Sequence, residues 1–279
     1  MTVLITGAAG LVGAALVRAG GVGRVRADLD ITDADAVAAT LDALQPDAVV
    51  NAAALAKVDA VDSQWERAQA VNGTAPGQLA LACRDRGIRC VHLSTDYVLT
   101  APGTAPLTED AIPDPRSAYA RSKLLGEQRA LAAGAVVVRI QWVYHPGHAS
   151  FFHTALGRLR DGAPLSLVAD QVGIPTPADW LASGLMACAA GGPAGVFHLA
   201  PGGQATAWAW IAAAADHLGL PMDSAQPTTR KALGGAWRPA CSRLDAARFS
   251  RTWGVALPDW RDALRDSLDA APPGWLSRT

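Results

Sequence analysis

The run Thr2–Thr6 (TVLIT) leads directly into Gly7-Ala8-Ala9-Gly10-Leu11-Val12-Gly13, and no other stretch restricts the possible fold as much. A short apolar, β-branched run predicts a strand buried on both faces, as in a parallel sheet. The glycines behind it permit a tight turn and a close approach of backbone to a ligand. Leu11–Arg18 then continues as a helix, so the unit reads strand, glycine turn, helix. A helix N-terminus offers unpaired N–H groups and a partial positive charge, which suits a pyrophosphate. Gly7, Gly10 and Gly13 are therefore expected to form a phosphate loop, with Leu11 and Val12 opening the helix beside it.

The alternation continues. Asp33–Leu44 reads as a helix capped by Thr32, Asp47–Asn51 as a strand and Glu66–Arg86 as a longer helical stretch. Arg89–Ser94 is strand again, Ser117–Ala132 helix and Ala135–Ile140 strand. Short strands alternating with helices predict the α/β class: a Rossmann-type doubly wound parallel sheet, its ligands at the carboxyl ends of the strands. After Trp142 proline and glycine become frequent. Pro177–Ala190 and Gly195–Leu199 are expected to rejoin the sheet, while Thr206–Leu218 and Pro258–Leu268 build a smaller α/β C-terminal lobe. The expected division is a cofactor domain of residues 1–143 and 177–200 and a substrate lobe of 144–176 and 201–279. Asn51-Ala52-Ala53-Ala54 ends the third strand; its small side chains either leave room for adenosine and diphosphate or simply pack tightly.

Composition narrows the class. At 279 residues the chain buries enough surface to need no disulfide or metal staple. A net charge of −1 gives no electrostatic footprint for nucleic acid or an anionic membrane. Cys83, Cys90, Cys188 and Cys241 form no CxxC pair and read as reduced, mostly buried thiols. No basic leader precedes the first strand and no uninterrupted apolar run is long enough for a membrane helix, so a cytoplasmic location is expected. His145, His148 and His153 have no carboxylate between them, and no metal is expected there.

Tyr119 and Lys123 stand four residues apart on a helix, so both side chains share one face. An ammonium beside a phenol favours the phenolate and brings the tyrosine toward use as an acid–base group. Ser94-Thr95-Asp96-Tyr97 ends the preceding strand at the ligand edge, where a hydroxyl can bond a substrate carbonyl next to Tyr119.

The GxxGxxG spacing resembles the extended short-chain dehydrogenases. Further motifs make the chain similar to one branch of them, the dTDP-4-dehydrorhamnose reductase family. These are LDITD (Leu29–Asp33), PDAVVNAAA (Pro46–Ala54), Val58-Asp59, AVNGTAP (Ala70–Pro76), STDYV (Ser94–Val98) and YARSKLLGE (Tyr119–Glu127). WVY (Trp142–Tyr144) follows, and DQVGIPT (Asp170–Thr176), RPACSRLD (Arg238–Asp245) and LPDWRDAL (Leu257–Leu264) extend the likeness beyond the cofactor domain. The resemblance implies reduction, by NADPH or NADH, of the 4-keto group of a dTDP-4-keto-6-deoxy sugar. The expected product is dTDP-L-rhamnose, made by a monomer or homodimer.

In that reading Tyr119 protonates the oxyanion, and Lys123 lowers the Tyr119 pKa and binds the nicotinamide ribose. Thr95 polarises the carbonyl with Asp96 beside it. Gly7, Gly10 and Gly13 hold the diphosphate, and Asp30 and Ile31 bind the cofactor with them. Gln171, Val172, Thr176, Arg238 and Ser242 line the sugar-nucleotide cleft. Trp142 packs against sugar or nicotinamide, or else is a core aromatic. Asp28 or Asp30 would favour NADH, and Arg24 or Arg26 would favour NADPH.

Several positions depart from the family pattern: a shortened second strand at about Gly23–Leu29, Leu99-Thr100-Ala101 after STDYV, His145, Ile174 and Cys241. Ala15 stands where some members carry a glutamate for a magnesium-bridged dimer, so no metal is carried over. The changed loop at Leu99–Ala101, expected to border the substrate, motivates an alternative: a tailoring ketoreductase on another nucleotide sugar or natural-product carbonyl. A non-catalytic cofactor-binding subunit is the other alternative, opposed by intact Thr95, Tyr119 and Lys123.

Overall fold

A computed structural model of the protein describes residues 1–100, 103 and 105–277. The first half runs β1 (Val3–Thr6), α1 (Leu11–Arg18), β2 (Val22–Arg24), α2 (Ala34–Leu44), β3 (Ala48–Asn51), α3 (Trp65–Ala68), α4 (Ala75–Arg84), β4 (Arg89–Thr95), α5 (Ala118–Ala132) and β5 (Val136–Ile140). The second runs β6 (Val143–Tyr144), α6 (Phe151–Arg160), β7 (Leu165–Val168), β8 (Val172–Gly173), β9 (Thr176–Pro177), α7 (Ala178–Ala190), β10 (Gly195–His198), β11 (Ala205–Thr206), α8 (Ala207–His217), β12 (Ala225–Thr228), α9 (Arg230–Leu233), α10 (Ala247–Trp253) and α11 (Trp260–Asp269).

Six parallel strands form the main sheet in the order β10-β5-β4-β3-β1-β2. Alternate residues of a strand face opposite sides, and here both sides are apolar. Val3, Ile5, Ala48, Val50, Val91, Leu93, Val136 and Val138 pack against α1 and α7. Leu4, Val49, Cys90 and Val137 pack against α2, α4 and the C-terminal end of α5. The chain crosses from one half of the sheet to the other between β1 and β3, so their carboxyl ends open a crevice there.

The sequence expectations needed several local corrections. Strand β2 has only three residues, because the chain leaves the sheet after Arg24. Helix α2 is capped by Asp33, not Thr32. The Asp33 carboxylate accepts from Asp35 N (3.1 Å) and Ala36 N (3.0 Å), while Thr32 donates to Asp30. The helical stretch from residue 66 is interrupted by a π-helical segment, Gln69–Thr74. Helix α10 falls within the expected lobe but lies on the main sheet, with Phe197 4.6 Å from Trp253 and Phe249 in the same core.

The remaining second half gathers around Tyr144, Phe152, Leu156, Trp210, Trp260 and Leu264. Its strands form three separate two-stranded ladders, β11-β8, β12-β7 and β6-β9, between α6, α8 and α11. All four cysteines are free and buried.

Candidate active site

Three features build the phosphate loop. Gly7 takes φ +68°, and a Cβ there would stand 2.6 Å from Ala53 backbone. A Cβ on Gly13 would stand 2.2 Å from the Gly7 carbonyl oxygen, so only glycine lets α1 close against the turn. Gly10 is the N-cap and has no side chain to occupy the first-turn N–H groups, which suits an incoming anion. Gly7, Gly10, Arg26, Asp30, Ala53 and Arg67 are among the residues around a first cleft of about 210 Å³. Leu29, Ile31, Ala52 and Ala54 contribute to its apolar walls. Those dimensions and that uncapped helix end fit the adenosine and diphosphate of a dinucleotide.

A second cleft of about 430 Å³ continues from Gly10, Leu11 and Val12 across Ala52 and Ala54 to Thr95, Asp96, Tyr119, Lys123 and Trp142. Helix α5 is set by its own glycine: a Cβ on Gly126 would lie 1.9 Å from the Asn72 carbonyl oxygen. Asn72 also accepts from Leu55 N (2.8 Å) and donates to Leu55 O (3.1 Å) and Ser122 Oγ (3.0 Å). The π-helical segment thereby fixes both the loop after β3 and the face of α5 that carries Tyr119 and Lys123. Ser117 caps the helix by accepting from Ala120 N.

Lys123 is buried and donates through Nζ to the Leu93 carbonyl at 2.6 Å. Burial brings its pKa down to about 8, partly offset by Glu127 one turn further on. Glu127 itself accepts from Ser94 Oγ (2.8 Å) and from Arg139 at 3.1 and 2.5 Å, inside a buried ion pair. Arg139 in turn lies 3.3 Å from His198 Nε2. Burial and Arg139 bring His198 down to about 3, so its ring is neutral; Nδ1–H then donates to Leu107 O at 3.0 Å.

Tyr119 differs from the expectation that Lys123 would lower its pKa. Burial raises it above the ordinary tyrosine value, opposed by the Thr95 hydroxyl and reinforced by Asp96 and Tyr97. The Lys123 ammonium is turned to a backbone carbonyl instead. A phenol held protonated is the form that donates a proton. Thr95 donates to Asp96 Oδ1 at 3.0 Å. Burial pushes Asp96 up to about 7, with Ser242 and Thr95 pulling it back, and its Oδ2 has no hydrogen-bond partner among the described residues.

A third cleft of about 460 Å³ adjoins the second, sharing Tyr97 and Trp142 with it, and carries Phe151, Gln171, Trp210 and Arg238. Trp142 stands between the two, half-buried, at φ +40°, a backbone region costly for a bulky residue and characteristic of functional sites. Its indole covers Gly173, where a Cβ would come within 2.5 Å.

Not every expected site residue reaches a cleft. Asn51 is buried and occupied by Thr6, His92 and Ala53 N, so it holds the loop rather than facing it. Val172 pairs by backbone with residues 240 and 242, and the Thr176 hydroxyl donates to Ile174 O. Ser242 is buried beside Asp96. Gly13 supports the turn from behind. Of the four charged candidates near β2, Arg26 and Asp30 line the first cleft, joined at 3.1 Å, while Arg24 bonds the Gly23 carbonyl. Leu99 is fully buried with Val98, Leu107 and Leu244 and Thr100 bonds Asp114 O, so neither lines these three clefts; Ala101 lies outside the described residues. Tyr97, Phe151, Trp210 and Arg67 were not anticipated. Only Tyr97 had a signal, its place in STDYV. Among the described residues no group of three His, Cys, Asp or Glu side chains could hold a metal, and no helix is long and apolar enough to cross a membrane.

A doubly wound sheet with a glycine-turn phosphate loop, a strand-end threonine and a tyrosine–lysine pair in one cleft defines a dinucleotide-dependent oxidoreductase of the extended short-chain dehydrogenase type. Within that class the chain belongs to the family described as RmlD substrate binding domain, whose sequence model matches residues 1–272. It is 37% identical to a dTDP-4-dehydrorhamnose reductase of Mycolicibacterium smegmatis, over 96% of this chain and 85% of that protein. It is 38% identical to a probable dTDP-4,6-dihydroxy-2-methyloxan-3-one 4-ketoreductase of Streptomyces antibioticus, over 95% and 94%. The crystal structure of a dTDP-4-dehydrorhamnose reductase from Clostridium acetobutylicum superimposes with a TM-score of 0.88 at 29% identity, covering 96% of this chain and 99% of that one.

Proposed function

We propose that the protein reduces the 4-keto group of a dTDP-4-keto-6-deoxy sugar, with dTDP-4-dehydrorhamnose as substrate and dTDP-L-rhamnose as product, in the cytoplasm. The observation that carries this reading is the continuity of the clefts: phosphate loop, then Thr95, Tyr119 and Lys123, then an aromatic cleft ending at Arg238. A nicotinamide cofactor, when bound, supplies the hydride. Gly7, Gly10 and the α1 N-terminus hold its diphosphate, and Asp30, Ile31 and the alanines after β3 enclose its adenosine. Arg26 and Arg67 bring two guanidiniums to that end against one carboxylate, which favours the 2′-phosphate of NADPH.

The chain's own groups do the rest. Thr95 bonds the substrate carbonyl and polarises it. Tyr119, kept protonated by burial, gives its proton to the oxygen as negative charge develops there. Lys123 adds positive charge beneath the site, and Trp142 screens it from water. The substrate lobe, residues 144–176 and most of 201–279, supplies the nucleotide-sugar cleft.

The test is oxidation of NADPH in the presence of dTDP-4-dehydrorhamnose, followed by absorbance. The likeness to the Streptomyces antibioticus protein supports a second reading, a ketoreductase acting on a different dTDP-4-keto sugar. Turnover of such a sugar but not of dTDP-4-dehydrorhamnose would select it.

A further inference from the structure

The Val58-Asp59 motif has no part in the proton and hydride chemistry, yet its carboxylate reaches across the molecule. Asp59 Oδ1 accepts from Ala236 N at 2.8 Å, and Oδ2 accepts from Arg238 NH2 at 2.7 Å. Asp59 and Arg238 are 179 positions apart in the sequence. Gly234 and Gly235 adopt φ +71° and +84°, and a Cβ on Gly235 would lie 2.8 Å from Asp59 Oδ1. The bend therefore needs glycine both for its backbone and for the carboxylate's approach.

The same loop is pinned elsewhere. The Arg116 guanidinium lies 5.7 Å from the centroid of the Trp237 ring. Arg230 NH1 donates to Arg238 O at 3.1 Å, and Asp170 accepts from Arg230 N at 2.7 Å. Val58, next to Asp59, lines the cleft that holds Tyr119 and Lys123, while Arg238 lines the aromatic cleft beside it.

We propose that Asp59 is a positioning residue for the nucleotide sugar: it straps the 235–238 loop to the cofactor domain and holds the Arg238 guanidinium toward the substrate's diphosphate. The inference rests on the nucleotide-sugar reading of the site. A guanidinium has five N–H donors in a fixed fork. Asp59 and the Ala236 carbonyl engage NH2 and NH1, and donors remain for an anion in the cleft. A long side chain loses rotamer freedom when it grips an anion. The strap imposes that loss on folding, before the ligand arrives. Asp59 itself touches neither cleft, so it acts through Arg238.

The experiment is calorimetric titration of the full-length protein with dTDP, for wild type, Asp59→Ala, Arg238→Ala and the double variant. The Asp59 side chain is 59% exposed, so its truncation leaves folding intact. Asp59→Ala is expected to weaken dTDP about fivefold and Arg238→Ala on the order of 10- to 100-fold. In the Arg238→Ala background, Asp59→Ala should add less than about twofold, as coupled residues do. The Kd for NADPH and the melting temperature should stay at wild-type values, which a merely structural role would not preserve. An unchanged Kd for dTDP in Asp59→Ala, or the same fivefold loss without Arg238, overturns the proposal. Wild-type protein that fails to bind dTDP overturns the nucleotide-sugar reading as well.

Discussion

Asp96→Asn should stabilise this protein at pH 8 and give progressively less advantage as the pH falls. Asp96 is 2% exposed, and burial pushes its pKa from an ordinary 3.8 to about 7. Each unit is worth about 1.4 kcal/mol, so the shift corresponds to at most about 4 kcal/mol. The sign follows from proton uptake. Below about pH 4 the carboxyl is protonated in both states. As the pH rises from 4 to 7, the unfolded chain ionises freely while the folded chain retains its proton, and wild-type stability is lost across that window. Above pH 7 no further loss accrues.

Asparagine keeps an oxygen to accept from Thr95 and carries no charge, so the variant escapes that loss. His198, buried neutral with a pKa of about 3, gains stability for the fold between pH 3 and 6.5, but it does so equally in both proteins and cancels in the difference. At roughly 2 °C per kcal/mol for a chain of this size, the variant's advantage in Tm should grow by about 5–10 °C between pH 4 and pH 8. Thermal melts of both proteins across that range, followed by circular dichroism, measure it. Parallel Tm curves would refute the reasoning, since they would mean that the carboxylate is solvated or paired in the folded state.

Three further outcomes follow from the site. Tyr119→Phe should lower kcat by at least about 100-fold while leaving the NADPH Kd near its wild-type value, whereas Lys123→Ala should damage both; steady-state rates and cofactor fluorescence separate the two. Gly13→Ala places a methyl 2.2 Å from the Gly7 carbonyl and should displace the phosphate loop, weakening NADPH by more than about tenfold in the same titration. Gly126→Ala sets a methyl against the Asn72 carbonyl at 1.9 Å, and this overpacking should cost about 1–3 kcal/mol, visible as a lower Tm.

The buried charges near the site show what function costs the fold. Lys123 and Asp96 are both held away from their ordinary pKa values by burial. Replacing either with a neutral residue of similar shape would relieve that cost; at Lys123, under the proposed mechanism, it would also remove the positive charge beneath the site. Stability and activity therefore pull in opposite directions at Lys123.

Much of the cofactor half was legible in the amino-acid sequence because its signals are local. A β-branched run, glycines at set spacing and a helix start lie within Thr2–Arg18, and Tyr119 and Lys123 share a helix face through a four-residue interval alone. Cap assignments were less secure: neighbouring Thr32 and Asp33 both suit a cap, and only backbone geometry distinguishes them. Other properties required the assembled chain. Asn51 looked like a ligand residue until its side chain proved to be bonded to Thr6 and His92. Leu99 looked like a substrate neighbour until it was found under Leu107 and Leu244. Phe151, Trp210 and Arg238 come from distant segments and meet Tyr97 only in the folded chain, around one cleft. The state of Tyr119 was likewise set by tertiary burial, with the lysine turned to the Leu93 carbonyl instead. Periodicity and turn chemistry act over a few residues, so a sequence can display them; desolvation and contacts between remote segments exist only once the chain has closed on itself.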